Sequence, residues 1–296
     1  MPNNDQYKQG LLFAFAAYIM WGVAPIYFKA LVGVGAVDIL LHRVIWSFGF
    51  ILLVILLVTG FSKIKKLFKD RKRLGLLGIT SIIIAFNWLL FIWAVNNDHM
   101  LDASLGYFIN PLVNVSLAMI FLGERLRKLQ WAAVTLAATG VMIQLISFGS
   151  IPLVSLGLAC SFAFYGLLRK KVNVDAKTGL LVETAILLPV ALVYLLTNTG
   201  DSLTHLLAND LHHNLLLVAA GVVTTVPLLC FASAAVRIPF SMLGFFQYIG
   251  PSIMFILAIA LFNEPFDAEK GITFAFIWAA LFLFTLDMLY KRKAKK

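Results

Sequence analysis

The chain has 296 residues, 61% hydrophobic and 13% charged, with a mean hydropathy of +0.93 and a formal net charge of +10. A soluble domain carries about twice that charged fraction, so composition excludes a water-soluble globular protein and points to an all-α integral membrane protein. The positive charge is no nucleic-acid footprint, because the basic residues sit in short connections between apolar runs.

A bilayer core takes about 20 apolar residues per helix. Ten segments reach or approach that length: 10–30, 38–60, 74–95, 103–122, 129–148, 150–170, 177–197, 214–236, 240–262 and 270–290. No cleavable signal peptide is evident, because the first apolar run is long and no small-x-small site follows it. The longest connection is 198–213, which leaves no room for an extramembrane domain. Cys160 and Cys230 fall inside apolar runs and read as packing residues.

Polar residues inside the spans are the candidates for function, since they are costly in lipid. The first span carries Tyr18, Trp21, Gly22 and Pro25 on one face. The second holds His42, read either as a proton-sensing group or as a packing histidine. It also holds Arg43, which either snorkels toward Asp38 and the outer headgroups or binds an anion at the outer mouth. The third adds Asn87, with Trp88 and Trp93 as belt or cavity aromatics. The fourth has the clearest stripe: Ser104, Tyr107, Asn110 or Pro111, and Asn114 recur at spacings of three and four and share a face.

The fifth span is rich in small residues, Ala132, Ala133, Ala137, Ala138 and Gly140, which permit close helix approach. It and the tenth read as peripheral supports or as the contact of a homodimer. Tyr165 lies in the sixth span. Glu183, in the seventh, is either an interfacial carboxylate paired with Lys177 or a cavity-lining acid for a cation or a coupling proton. Gln247, Tyr248, Pro251 and Ser252 mark the ninth. Pro25, Pro111, Pro227 and Pro251 each free a backbone carbonyl and favour a kink around a cavity. Asp287, in the tenth, is expected to pair with Lys291 and Arg292. His205, His212 and His213 lie in the 198–213 loop without a carboxylate or cysteine at metal-ligand spacing, so neither a metal nor a cofactor is expected.

The chain also repeats itself. At a shift of 140 residues, Leu40-Leu41 meets Leu180-Leu181, Asp70 meets Asp210, Phe91 meets Phe231, Pro111 meets Pro251, Glu124 meets Glu264, and Lys29 meets Arg169. The repeats cover 1–149 and 150–296, with five spans each. An odd number inverts one half against the other, a common construction of transporters. Charge agrees: with the N-terminus inside, all of the 24 Lys and Arg except Lys29, Arg43 and Lys270 lie in inside segments. The basic loop 61–73 corresponds to 201–213, which has neither Lys nor Arg. Both termini are therefore expected in the cytoplasm. Arg43 and Glu183 are repeat equivalents five or six residues in from opposite faces, which separates them by roughly 10–15 Å of depth. One charge near each mouth is expected, rather than a central ion pair.

The residues Trp21-Gly22 with Pro25-Ile26-Tyr27-Phe28-Lys29, Leu41-His42-Arg43, Leu105-Gly106-Tyr107-Phe108-Ile109-Asn110-Pro111-Leu112 and Gly123-Glu124 resemble the RarD branch of the EamA family. So do Ser161-Phe162-Ala163 with Tyr165-Gly166, Glu183-Thr184, Thr225-Val226-Pro227-Leu228 and Phe245-Phe246-Gln247-Tyr248-Ile249. The resemblance runs end to end. It implies the drug/metabolite transporter superfamily, with ten helices in two EamA repeats, and a family name linked to chloramphenicol sensitivity without a defined substrate.

Repeat, stripes and minimal loops together point to a secondary transporter in a bacterial cytoplasmic membrane. It is expected to export a small metabolite or drug-like solute by alternating access around a cavity of spans 1–4 and 6–9. A lipid-carrier flippase fits the same sequence. A membrane-embedded enzyme would need a nucleophile–base pair, paired aspartates or an HExxH helix, and the sequence has none of these. Without a phosphate-binding loop, gradients rather than ATP hydrolysis are expected to drive transport.

Overall fold

The computed structural model describes residues 4–31, 34–96, 100–148, 152–197, 211–261 and 268–293, and every regular element among them is helical. In chain order these are α1 (Asn4–Lys29), α2 (Ala36–Val54), continued by a π-helical turn (Ile55–Thr59), α3 (Ser62–Phe68), α4 (Arg71–Asn96), α5 (Met100–Leu122), α6 (Lys128–Phe148), α7 (Leu153–Val172), α8 (Ala176–Thr197), α9 (Leu211–Ala235), α10 (Phe240–Phe246), α11 (Ile249–Ala260) and α12 (Ala268–Lys293). Lipid offers backbone groups no water to bond, so each spanning segment closes its own hydrogen bonds as a helix. Among the described residues nine helical stretches are long and apolar enough to cross a membrane, and Gly271–Asp287 is a shorter apolar helix. Large apolar side chains such as Leu57, Ile146, Leu153 and Phe282 lie open on the outside. On a soluble protein such a surface would aggregate; here it faces lipid.

Helix packing follows a simple plan. α1 lies against α9 and α11, α7 against α4 and α5, α2 against α8 and α9, and α6 against α12. Small residues set the closest approaches. A Cβ on Gly221 of α9 would fall 2.4 Å from the Trp46 backbone in α2, so only glycine fits there. Ala133 and Ala137 of α6 are fully buried, and a Cβ on Gly140 would stand 3.1 Å from the Thr273 carbonyl oxygen of α12. Of the small-residue stripe read as a peripheral support or a dimer contact, Ala133, Ala137 and Gly140 are thus buried within the chain, while Ala132 is exposed. The buried Asp287 carboxylate pairs with Arg127, just before α6, and ties the same two helices; the side chains of Lys291 and Arg292, expected as its partners, lie outside the described residues.

Two elements differ from the sequence reading. The basic 61–73 segment contains a short amphipathic helix, α3, which buries Ile64 and Leu67 and leaves its lysines outward. The ninth span is two helices rather than one, broken at Gln247 and Tyr248. Pro251 explains the place of the break. It has no N–H for the carbonyl four residues back, which belongs to Gln247. The chain tightens instead, and Gly250 N–H bonds the Gln247 carbonyl at 3.3 Å in an i→i+3 turn. Pro25, Pro111 and Pro227 lie inside helices that continue through them, α1, α5 and α9. His205 and Glu264 lie outside the described residues.

Candidate functional site

Three polar groups lie in the interior, each built where helices from different parts of the chain meet. The first is an amide chain. In α5, Asn110 and Asn114 are one turn apart and therefore face the same way. The Asn114 amide nitrogen donates to Asn110 Oδ1 at 3.0 Å and to Gln247 Oε1 at 2.7 Å, and Asn110 donates to the Ala159 carbonyl of α7 at 2.6 Å. The Tyr248 hydroxyl donates to the Phe108 carbonyl at 3.3 Å. All four side chains are buried, so the stripe faces protein and not lipid. Asn114 Oδ1 and the Tyr18 hydroxyl have no hydrogen-bond partner among the described residues.

The second group centres on Arg43. Its Nε donates to Thr224 Oγ1 of α9 at 2.9 Å, and its guanidinium lies 4.9 Å from the centre of the Trp88 ring, a cation–π distance. Tyr27 and Tyr107 are within electrostatic reach. His42, beside it, accepts the Trp46 indole N–H at 3.1 Å one turn along its own helix.

The third group centres on Glu183, fully enclosed at 1% exposure. Thr80 Oγ1 of α4 lies 2.6 Å from Glu183 Oε1, and the Tyr165 hydroxyl of α7 lies 3.3 Å from Oε2. The charge partner is Arg169 of α7, with Nη1 at 3.6 Å and both side chains 2% exposed. Lys177, expected from sequence as the neighbour, is not that partner. The guanidinium rests against Gly179, where a Cβ would stand 1.9 Å from Nη1. On α4, Thr80 of this group and Trp88 of the Arg43 group are eight residues apart, about 12 Å along the helix.

An aromatic set adjoins the Glu183 group through Tyr165. Tyr18, Trp21, Phe162, Tyr165 and Phe231 pack with ring centroids 5.2 to 6.4 Å apart. Asn87, another predicted site residue, donates to the Leu158 carbonyl at 3.0 Å and to Ser161 Oγ at 2.8 Å, bonding α4 to α7. Two cavities are described, and neither is lined by a predicted site residue. One, of about 350 Å³, lies between α5 and α6 beside Met119 and Trp131; the other, of about 240 Å³, lies among Lys63, Lys66, Arg73 and Asp175. Among the predicted site residues, Asn110, Asn114 and Gln247 bond one another, as do Tyr165 and Glu183. Among the described residues no three of His, Cys, Asp or Glu gather as a metal site requires.

Sequence reasoning missed Arg169, which it counted as a loop cation, and the threonines Thr80 and Thr224. It also missed a clamp at the α9–α10 turn. The Glu124 carboxylate accepts from Phe240 N–H at 2.7 Å, Ser241 N–H at 3.0 Å and the Ser241 hydroxyl at 2.6 Å, at the start of α10. Lys170 Nζ donates to the carbonyls of Ala235 at 2.8 Å and Ile238 at 2.5 Å, at the end of α9. An acid at a helix start and a cation at a helix end each complement the helix dipole. The 140-residue register was the available signal for two of these residues, since it aligned Arg169 with Lys29 and Glu124 with Glu264.

The chain is similar to known proteins throughout its length. Residues 8–146 match the EamA-like transporter family. Protein RarD of Salmonella typhi is 56% identical over 290 residues, covering 98% of this chain and 99% of that protein. A Vibrio cholerae protein named as an uncharacterized transporter is 55% identical over 288 residues, covering 97% and 95%. A crystal structure with 18% identity superposes with a TM-score of 0.67 over 94% of this chain and 97% of that one, a likeness of fold alone. The chain is therefore a multi-pass membrane protein of the RarD type and belongs to the EamA-like transporter family.

Proposed function

We propose that this protein is a gradient-driven secondary transporter that exports a small metabolite or drug-like solute by alternating access. It works in the bacterial cytoplasmic membrane with both termini inside, and its halves are inverted repeats. The observation that carries the reading is the buried amide chain Asn110–Asn114–Gln247 with its unpaired Asn114 oxygen. A polar group left short of partners inside a membrane marks a solute path more often than a structural joint. Packing supports the two-half reading. A shift of 140 residues exchanges α1 with α7, α4 with α9, and α5 with α10 and α11. The α1–α9 contact then answers α7–α4, and α1–α11 answers α7–α5, while α2–α8 and α6–α12 map onto themselves. The cationic side chains around α3 support the orientation.

Inverted membrane vesicles from cells expressing the chain test this. Vesicles are incubated with a cell extract, and the lumen is analysed by mass spectrometry. Wild-type vesicles should accumulate at least one solute that vesicles with Asn114→Leu do not. Identical lumenal profiles from wild-type, variant and empty-vector vesicles would sink the reading.

A further inference from the structure

Arg169 is unusual among the buried residues because its guanidinium is underused. Of its five N–H donors, Nη2 makes one long bond of 3.4 Å to the Ala176 carbonyl. Nε and Nη1 have no hydrogen-bond partner among the described residues, and Glu183 stands at 3.6 Å, an ion-pair distance rather than a hydrogen bond. A guanidinium evolved only to neutralise a buried acid takes it in a two-bond fork. This one is held slightly away from its acid, in a space kept open by Gly179.

The acid is equally particular. Thr80 Oγ1 lies 2.6 Å from Glu183 Oε1 and 2.9 Å from the Leu77 carbonyl. A hydroxyl has one proton to give. With Glu183 ionised, Thr80 donates to the carboxylate. With Glu183 protonated, the acid donates to Thr80, and Thr80 turns its proton to Leu77. The Tyr165 hydroxyl contacts the other oxygen in either state. Both protonation states are satisfied without moving a heavy atom. The groups facing the acid are Thr80 from α4 and Tyr165 and Arg169 from α7. Around Leu181, two residues away on α8, the cluster is apolar: Ile51 of α2, Ile55 just beyond it and Leu229 of α9. Lys63 with Asp175 lies outside at the start of α8, and Lys177 is on α8 itself. A protonated Glu183 therefore leaves Arg169 as a buried cation without a counter-charge, a state that costs several kcal/mol until an anion arrives.

We propose that Arg169 is the binding site for a carboxylate or phosphate group of the transported solute, with Glu183 as its resident stand-in. A proton on Glu183 frees the guanidinium, the solute's anionic group takes its donors, and loss of the proton restores the Glu183 charge beside Arg169 and expels the solute. Proton and anion ride together, and the sum of their gradients sets the direction. The assignment rests on the transporter reading above and narrows it to anionic solutes.

The test uses the full chain purified in detergent, with thermal unfolding read at pH 5.5 and 8.0. Chloride is exchanged for benzoate or for inorganic phosphate at fixed ionic strength. Glu183→Gln carries the uncompensated cation at every pH and should gain about 3 °C or more from one of these probes at both pH values. Wild type should gain at pH 5.5 and not at pH 8.0. The double variant Arg169→Gln/Glu183→Gln, which keeps the volume and has no charge to place, should gain nothing at either pH. If folded Glu183→Gln gains no more than the double variant, or if wild type gains equally at both pH values, the proposal falls. The two readings fail separately. Anion-dependent stabilisation in a protein that loads no vesicle refutes transport and keeps the site. Solute loading by the double variant at the wild-type rate keeps transport and refutes the site.

Discussion

Arg43 and Glu183 stand 140 residues apart in register, on helices α2 and α8 that pack against each other. Each meets a threonine of another helix, Thr224 for Arg43 and Thr80 for Glu183. Beyond that they are held differently. Arg43 is partly exposed and lies over the Trp88 ring, whereas Glu183 is sealed in and answered by the opposite charge of Arg169. A ring quadrupole and a hydroxyl are part of the company of the partly exposed charge, while a charge at 1% exposure needs a counter-ion. Positions aligned by the 140-residue register thus carry different chemistry according to how far each is shut from solvent.

That contrast can be broken by substitution, and the largest effect belongs to the sealed pair. Arg169→Gln leaves a buried acid alone and should lower stability by about 3 kcal/mol, while the double variant with Glu183→Gln should recover most of the loss. Chemical unfolding in detergent measures both, and a double variant weaker than either single one would show that the pair is not a unit. Gly179→Ala comes next. Its methyl would overlap the Arg169 guanidinium, and a loss of about 1–3 kcal/mol is expected; an unchanged unfolding midpoint would mean that Arg169 has room to move aside. Arg43→Gln should be milder, about 1 kcal/mol, because Arg43 is partly exposed and a glutamine still reaches Thr224. Its mark should be on solute handling from its own side of the membrane, read as altered counterflow in proteoliposomes with wild-type stability. Smallest is Thr224→Val, which loses the bond from Arg43, about 0.5–1.5 kcal/mol; Thr80→Val removes a hydroxyl shared between Glu183 and the Leu77 carbonyl and should also blunt the pH dependence of anion stabilisation, which Thr224→Val leaves alone.

The spans were legible in the sequence because lipid imposes length and apolarity directly. The Asn110–Asn114 stripe was legible because i, i+4 spacing fixes a common face. The Glu183–Arg169 partnership was not, because the two residues belong to different helices and Lys177 is nearer in the chain. Nor was the α6–α12 contact, since small residues announce close approach without naming the partner. The break at Gln247 lay one turn from the proline that explains it; the other prolines, inside unbroken helices, show that a missing N–H permits a break without compelling one.

The Glu124 clamp, taken with that break, has a mechanical consequence. α10 is fastened to the end of α5 by three bonds on one carboxylate, while α11 lies chiefly along α1. The ninth span is therefore two short rods carried by different supports, with a tight turn between them at residues 247–248. A slide of α1 past α5 bends that turn rather than stretching a continuous helix, and Gln247, with its bond to Asn114, sits at the pivot. Motion between the rods is then felt first at the amide chain.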